Sequence, residues 1–353
     1  MPPGDDNRLE VKAIRAQPRN AVLKRVVVLG VTGVGLYIVW PNLAKVFSAG
    51  PMLATVSPLW GFPLVAAEAA SFVCMWALLR LALDVKPWFP IATAQLAGNA
   101  FSRIVPGGAA AGGAMQFDML STAGIAPARA ATSVTAVSLI STATLLGLPV
   151  ISIVAILITG ASVEHNLFRA GSIAVVVCLA AMAGGAVLLF ADRPLLWLGG
   201  VIEQARNRVL RGRPPLEGLP ERLVDERDLI RRVLGAGWWK ALLYSAGNWL
   251  LDLTALLIAL AAVGAQPRAS VVLLAYVVAA FLGMIPITPG GLGFVEAGLI
   301  GTLGLAGIGA DQALLATLVY RLASYWLPMP AGAVAYLLHK RRYGRGRGGT
   351  AGG

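Results

Sequence analysis

Apolar residues in this chain fall in long unbroken blocks, not in the spaced pattern of a half-buried helix or strand. Residues 26–40, 62–83, 128–160, 171–190, 238–262 and 311–338 are runs with few or no charges. A hydrocarbon core about 30 Å thick needs around 20 apolar residues as helix. Every block but the first reaches that length, and the first gains length if Ala21–Leu23 belongs to it. Backbone amides in lipid must be satisfied within their own segment, which makes the blocks helices. The alternating period of an outer-membrane barrel is missing. The pattern predicts an all-α integral membrane protein.

Composition agrees and adds an orientation. Of the 353 residues, 57% are apolar and 13% charged, where a soluble domain carries roughly 25% charge. A net charge of +12 raises nucleic acid as a partner, but the basic residues are clustered and not spread over a soluble face. Six lie in the first 25 residues, ten in 191–240 and five in 340–347, together 21 of the 29 Lys and Arg. Clustering of this kind follows the positive-inside rule. Stretches 41–61 and 159–170 hold one each (Lys45, Arg169) and 263–270 only Arg268, as expected of outside loops. The expected organisation is a basic cytoplasmic N-terminus (1–23), a polytopic membrane domain (24–340) and a disordered basic tail (341–353). Within the membrane domain, half one (62–190) and half two (238–340) flank a cytoplasmic loop, 191–237. Both termini face the cytoplasm, and the expected location is the cell membrane. A polar lead of about 25 residues and a poor cleavage site at Phe47-Ser48-Ala49 suit an uncleaved signal anchor.

Counting crossings from these anchors leaves two apolar segments that make no net crossing. Helix 24–40 runs outward, 62–83 returns, 128–160 runs outward and 171–190 returns to the basic loop, so 88–127 begins and ends inside. Helix 238–262 runs outward and 311–338 returns, so 269–310 begins and ends outside. Each segment carries a breaker near its middle: Ile104-Val105-Pro106-Gly107-Gly108 in the first and Ile285-Pro286-Ile287-Thr288-Pro289-Gly290-Gly291 in the second. Proline removes a backbone donor and glycine permits the turn. The plainest architecture is about six full transmembrane helices plus two re-entrant helical hairpins, one from each face. Two alternatives stay open: each segment spanning twice as short helices, and 128–160 making two passes hinged at Gly147-Leu148-Pro149.

The two breakers align without a gap. Pro106-Gly107-Gly108 is followed after 14 residues by Ala123-Gly124-Ile125, and Pro289-Gly290-Gly291 after 14 residues by Ala306-Gly307-Ile308, an offset of 183 throughout. Copies on opposite faces make an inverted repeat, a recurring transporter plan in which broken helices meet near the midplane.

Ionisable residues inside the apolar segments are Glu68, Arg103, Asp118, Asp252, Glu296 and Arg321. Each costs a few kcal/mol or more at the bilayer centre and is a functional candidate by default. Glu296, on the returning arm of the second hairpin, is expected to pair with Arg321 in the last helix. Arg103, just before the first tip, could reach an anionic headgroup with its planar donor fork, and Asn99 one turn earlier adds a neutral hydrogen-bonding group. Against this stand structural ion pairs and side chains snorkelling to the interface. That reading is strongest for Asp118 and Asp252, near segment ends, while Glu68 has no partner evident in sequence. Gly30-Val31-Thr32-Gly33-Val34-Gly35 lies within an apolar helix and reads as close packing. Cys74 and Cys178 read as small core residues. His165 in an outer loop and His339 at a membrane edge have no metal-ligand neighbours, and no catalytic triad, metalloprotease motif or nucleotide loop is present. No cofactor or enzymatic activity is expected. In the central loop, Leu195–Arg211 and Leu219–Leu234 read as amphipathic surface helices.

The run Ile285-Pro286-Ile287-Thr288-Pro289-Gly290-Gly291-Leu292-Gly293-Phe294-Val295-Glu296 resembles the proline–glycine signature of the lysylphosphatidylglycerol synthase transmembrane-region family, also called flippase-like. Ala306-Gly307-Ile308 and Tyr320-Arg321 fit the same pattern, and Asn99, Pro106-Gly107-Gly108 and Gly124-Ile125 resemble its first block; the resemblance covers roughly residues 20–340. It implies a membrane module that moves lipids, such as aminoacylated phosphatidylglycerol, between leaflets. In full-length relatives a cytoplasmic aminoacyl-transfer domain follows; here the chain stops about a dozen residues after the last helix, so that domain is expected to be absent. Ala114-Met115-Gln116-Phe117 stands where relatives often carry a basic residue, which leaves another lipid or a lipid-linked sugar equally open. The expected function is a lipid translocase using Asn99, Arg103, Pro106, Gly107, Gly108, Pro286, Pro289, Gly290, Gly291, Gly293, Glu296, Tyr320 and Arg321. The alternatives are a proton- or ion-coupled carrier of a small solute, with Glu296 or Asp252 as the proton site, and an accessory subunit of a glycolipid pathway. The expected partners are membrane lipids, anionic phospholipid among them, with a homo-oligomer left open and no nucleic acid.

Overall fold

The computed structural model describes residues 56–105, 108–160, 165–209, 215–283 and 289–344. All regular structure among them is helical. After a 3-10 turn at Pro58–Trp60 come α1 (Gly61–Leu83), α2 (Trp88–Ile104), α3 (Gly108–Thr122), α4 (Pro127–Thr159) and α5 (His165–Phe190). The central segment holds α6 (Asp192–Val209) and α7 (Leu219–Leu234). Then follow α8 (Trp238–Ala262), α9 (Ala269–Gly283), α10 (Phe294–Leu305), α11 (Ala310–Arg321) and α12 (Pro328–Tyr343).

Four described segments, Pro58–Leu83, Pro127–Thr159, Gly171–Phe190 and Trp238–Ala262, are long and apolar enough to cross a membrane. The predicted block 311–338 is one rod with a widened turn: right-handed helical backbone runs from α11 through a π-turn at Leu322–Trp326 into α12. The predicted helix 24–40 and residues 345–353 lie outside the described residues, as do Pro106, Gly107 and Pro286. The two-pass alternative for 128–160 does not hold, because α4 runs through Pro149 as one helix of 33 residues. His165 opens α5, so helix begins inside the stretch expected to be a loop.

Two antiparallel helix pairs carry the fold. In the first, α2 and α3 meet at glycines: a Cβ built on Gly112 would lie 2.6 Å from Gly98 O. In the second, α9 and α10 meet where Gly298 faces Ala279 and Leu282 and where Thr302 Oγ1 donates to Ala275 O at 3.3 Å. Small residues let helix backbones approach this closely. The arms have 17, 15, 15 and 12 residues, so at 1.5 Å per residue they are roughly 18–25 Å long, short of a hydrocarbon core of about 30 Å.

The repeat seen in sequence recurs in the hydrogen bonds. Gly124 (φ 88°) and Gly307 (φ 84°) each take the left-handed conformation that ends a helix. Ile125 N–H then donates to Leu120 O at 3.2 Å, and Ile308 N–H to Leu303 O at 3.1 Å. The next helix starts alike, with Ala130 N–H on Ala126 O and Ala313 N–H on Gly309 O. Every one of these pairs stands at the same offset of 183. The packing exchanges partners accordingly: α2 lies on α12, α9 on α4, and α1 and α8 pack on each other at the centre.

The hairpins open at opposite ends of the bundle. At one end His339, late in α12, is held between Thr93 of α2 (Nδ1 to Oγ1, 2.8 Å) and Met119 O of α3 (2.9 Å). Nearby Ser133, early in α4, donates to Ala82 O at the end of α1. His339, at this end of the bundle, is buried and partnered. At the other end Arg268, just before α9, donates to Gly160 O beyond α4, and Gln312 of α11 donates to Val263 O beyond α8. α2 packs against the turn Pro289–Gly291.

The central segment forms two helices as its amphipathic pattern predicts. α6 and α7 pack at Gly199 and Pro220, with Arg227 donating to Asp192 and Asp228 at 2.6 and 2.9 Å. Thr132 donates to Glu226 and ties α7 to α4. Leu196, Trp197, Val201 and Ile202 of α6 stay exposed, the apolar stripe of a helix lying in a membrane interface.

α2 and α12 approach closely, and a Cβ on Gly332 would lie 2.4 Å from Ala100 Cβ and 2.5 Å from Leu96 O. Gly332→Ala should destabilise the purified protein by about 1–3 kcal/mol through overpacking. Gly185→Ala, with nothing within 4 Å of the added atom, should not lower the thermal unfolding midpoint. Equal midpoints for the two variants would contradict this packing.

Candidate functional site

The tips of the two hairpins meet on the π-turn of the last rod. The second tip is made by Gly290 and Gly291, both at positive φ, and by Gly293 at φ 86°. Gly290 lies against the Tyr325 ring, 2.7 Å from Tyr325 Cε2 to a built Cβ, so no side chain fits there. α10 begins directly after this turn, and Glu296 in its first turn accepts from Gly293 N–H at 2.6 Å. A carboxylate suits the N-terminal end of a helix, where unpaired N–H groups and the dipole are positive. Its other oxygen accepts from Arg321 Nε at 2.7 Å, the pair expected from sequence.

Tyr325 links the second tip to the first. The Arg321 guanidinium lies 4.2 Å from the Tyr325 ring centroid and that of Arg103 4.8 Å from it. Arg103 Nη1 also donates to Ser324 O and Tyr325 O, both at 2.6 Å, and Tyr325 Oη donates back to Arg103 O at 3.0 Å. The sequence explains the free carbonyl: residue 328 is proline and has no N–H to donate one turn back to Ser324 O. Arg103 takes the place of that missing donor. π-Turns inside helices are frequent at functional sites, and this one places the carbonyls of 324 and 325 and the Tyr325 ring beside both tips.

A carboxylate pair lies on the other side of Arg103. Asp252 of α8 accepts from Tyr320 Oη at 2.8 Å and from Tyr276 Oη by a short hydrogen bond. Glu68 of α1 is 5% exposed, lines the same cavity as Asp252, and keeps Oε1 without a hydrogen-bond partner among the described residues. Ser71 and Asn248 bind each other across the same helix contact, Asn248 Nδ2 donating to Ser71 Oγ at 2.6 Å. A cavity of about 140 Å³ is lined by Glu68, Gln95, Asn99, Arg103, Asp252 and Ser324, among others. Gln95 Oε1 and Asn99 Oδ1 are buried there without partners, and Arg321 Nη2 is likewise an unused buried donor. A second, apolar groove of about 570 Å³ runs along Leu282, Leu292, Gly293, Phe294, Ala297 and Gly298, beside Glu296.

The structure thus brings together Asn99, Arg103, Gly290, Gly293, Glu296, Tyr320 and Arg321, with Pro289 and Gly291 in the tip turn. Gly108 opens α3 against Ser102, where a built Cβ would lie 1.8 Å from Ser102 O. Asp118 is exposed and apart from the cluster. Asp252 was weighed as a residue near a helix end and is instead central, and Glu68 has its partner there. Tyr276, Tyr325, Ser71, Asn248 and Gln95 were not singled out. The aromatic residues read as ordinary core, but the missing N–H at Pro328 was available as a sign of the carbonyl that Arg103 occupies. Among the described residues no group of three or more His, Cys, Asp or Glu could hold a metal ion.

A family model described as the lysylphosphatidylglycerol synthase TM region matches residues 26–332. Similar proteins include two UPF0104 membrane proteins of Methanothermobacter thermautotrophicus. One is 37% identical over 112 residues, 32% of this chain and 31% of the relative. The other is 32% identical over 87 residues, 25% of this chain and 26% of the relative, so the matches reach a minor part of either relative's length. The family match runs unbroken through both hairpins, the π-turn and every charged group at their meeting point, and the chain belongs to the lysylphosphatidylglycerol synthase TM region family.

Proposed function

We propose that this protein is a lipid translocase, moving a phospholipid or lipid-linked headgroup between leaflets through a crevice between two re-entrant hairpins. The observation that carries the reading is a polar, charged cavity at Arg103 tied through Tyr325, Arg321 and Glu296 to the helix that lines an open apolar groove. An amphiphile needs both at once. Arg321 Nη2 offers an unused donor to a phosphate oxygen, and Arg103 a guanidinium already inside the cavity. Gln95 Oε1 and Asn99 Oδ1 offer acceptors to headgroup hydroxyl or amine hydrogens. Acyl chains would stay in the groove along Leu282–Gly298 and in the surrounding lipid. No nucleotide enters the scheme. In this reading the basic ends, with α6 and α7, face the cytoplasm of a cell membrane, following the charge asymmetry.

The cavity of about 140 Å³ also fits a small solute, and a carrier of such a solute is the second reading. Proteoliposomes containing a fluorescent lipid and an external quencher separate the two. The lipid reading predicts loss of protected fluorescence well beyond that of empty vesicles for at least one anionic or glycosylated lipid class. Rates equal to empty vesicles across all classes would overturn it.

Two variants probe the site within the same assay. Arg321→Gln should cut the translocation rate at least about tenfold, the equivalent of 1.4 kcal/mol in a barrier, because it removes both the Glu296 partner and the phosphate donor. Tyr325→Phe keeps the ring between the two arginines and loses the hydroxyl's hydrogen bond to Arg103 O, a stability cost of about 1 kcal/mol. Tyr325→Leu also removes two cation–ring contacts, each worth about 0.5–2 kcal/mol, and should unfold at a clearly lower temperature than Tyr325→Phe. Equal unfolding temperatures would show that the ring does not hold the arginines.

A further inference from the structure

The buried charges at the centre do not balance. Acids there are Glu68, Asp252 and Glu296, and bases are Arg103 and Arg321. Among the described residues the ionisable groups that act on Glu68 are Asp252 of α8, Arg103 of α2 and Arg321 at the end of α11; α7 also packs on α1, with its charges spread over Leu219–Leu234, and α4 contributes no ionisable residue between Ala130 and Gly160. Tyr276 and Tyr320 face Asp252 as neutral donors. Glu296 is matched by Arg321 at 2.7 Å, which leaves Arg103 alone with two carboxyl groups. One negative charge is therefore in excess, in a place where an uncompensated charge costs several kcal/mol. The two carboxyl groups line one cavity with a single arginine, and carboxylates are acceptors only, so a hydrogen bond between them requires a proton on one oxygen.

We infer that Glu68 and Asp252 form a single-proton binding site at the centre of the bundle, and that this proton is coupled to anion binding at Arg103. The pair sits on α1 and α8, the two helices that pack on each other between the repeats. It touches both hairpins, through Arg103 at the first and Tyr276 of α9 in the second. An anionic headgroup that engages Arg103 withdraws its positive field from the pair. The proton is then held more firmly, and by linkage a held proton favours the anion equally. Anion and proton enter and leave together. The proton site stands on charge balance and a shared cavity, whereas its coupling rests on the lipid reading above.

Infrared difference spectroscopy on the full chain in lipid nanodiscs tests the site without transport. At neutral pH the wild type should show a protonated-carboxyl C=O stretch that shifts in D2O and is lost in Glu68→Gln, with Asp252→Asn as the second variant should Glu68→Gln fail to fold. Absence of the band in wild type, or its persistence in both variants, overturns the site. A wild type without the band that is stabilised by sodium chloride but not by choline chloride also overturns it, in favour of sodium. In proteoliposomes, a gradient of one pH unit should shift the steady-state leaflet ratio of a translocated anionic lipid by about tenfold if one proton moves with each lipid, and the shift should vanish in Glu68→Gln. Translocation indifferent to the gradient overturns the coupling and leaves the translocase. A carboxyl band without any translocation overturns the translocase and leaves the proton site.

Discussion

A charged side chain in hydrocarbon must have its partner in place before the helix that carries it can rest there. Here that requirement binds the two halves of the chain. Arg103, from the first hairpin, is held by carbonyls and a ring of the last rod; Glu296, from the second, is held by Arg321 of the same rod. Removing one partner of a buried pair leaves the other uncompensated and costs about 3–5 kcal/mol, so neither tip can leave without a replacement ligand. An anionic headgroup is such a replacement. The network that fixes the fold is therefore also the one a substrate could open.

The backbone repeats at the meeting point, but the chemistry does not. At the offset of 183, Arg103 corresponds to Pro286, Glu296 to Gly113, Arg321 to Ser138 and Tyr325 to Thr142. The caps after the two hairpins match bond for bond, and the exchange of α2–α12 for α4–α9 contacts follows the same symmetry. Among the described residues the widened turn, with Pro328 and Pro330 after it, lies in the last rod, while α4 carries Pro149 without such a turn. A symmetric scaffold thus holds an asymmetric site.

Much of this was legible in the chain itself. Block length gave the helices, and the Pro-Gly-Gly and Ala-Gly-Ile spacings gave the repeat, because each rests on a local rule about apolar length, proline or glycine. The Glu296–Arg321 pair was legible because the hairpin arm and the last rod follow one another along the chain. Glu68 and Asp252 were not paired in advance. They lie on helices apolar almost all round, so nothing in the pattern shows which face of α1 meets which face of α8. Tyr276 and Tyr325 were hidden for the same reason, since an aromatic residue in an apolar helix has the appearance of core until its hydroxyl is placed. His339 looked peripheral because it adjoins the basic tail, and only the fold shows three helices closing over it.

Everything in the account depends on two hairpins that enter from opposite faces and leave by the face they entered. Single cysteines at Lys86, Ala126, Gln266 and Asp311, in a background with Cys74 and Cys178 replaced, can be labelled in intact cells with a membrane-impermeant thiol reagent. Positions 266 and 311 should label from outside, and 86 and 126 only after the membrane is opened. Labelling that splits either pair, 86 from 126 or 266 from 311, would contradict the account.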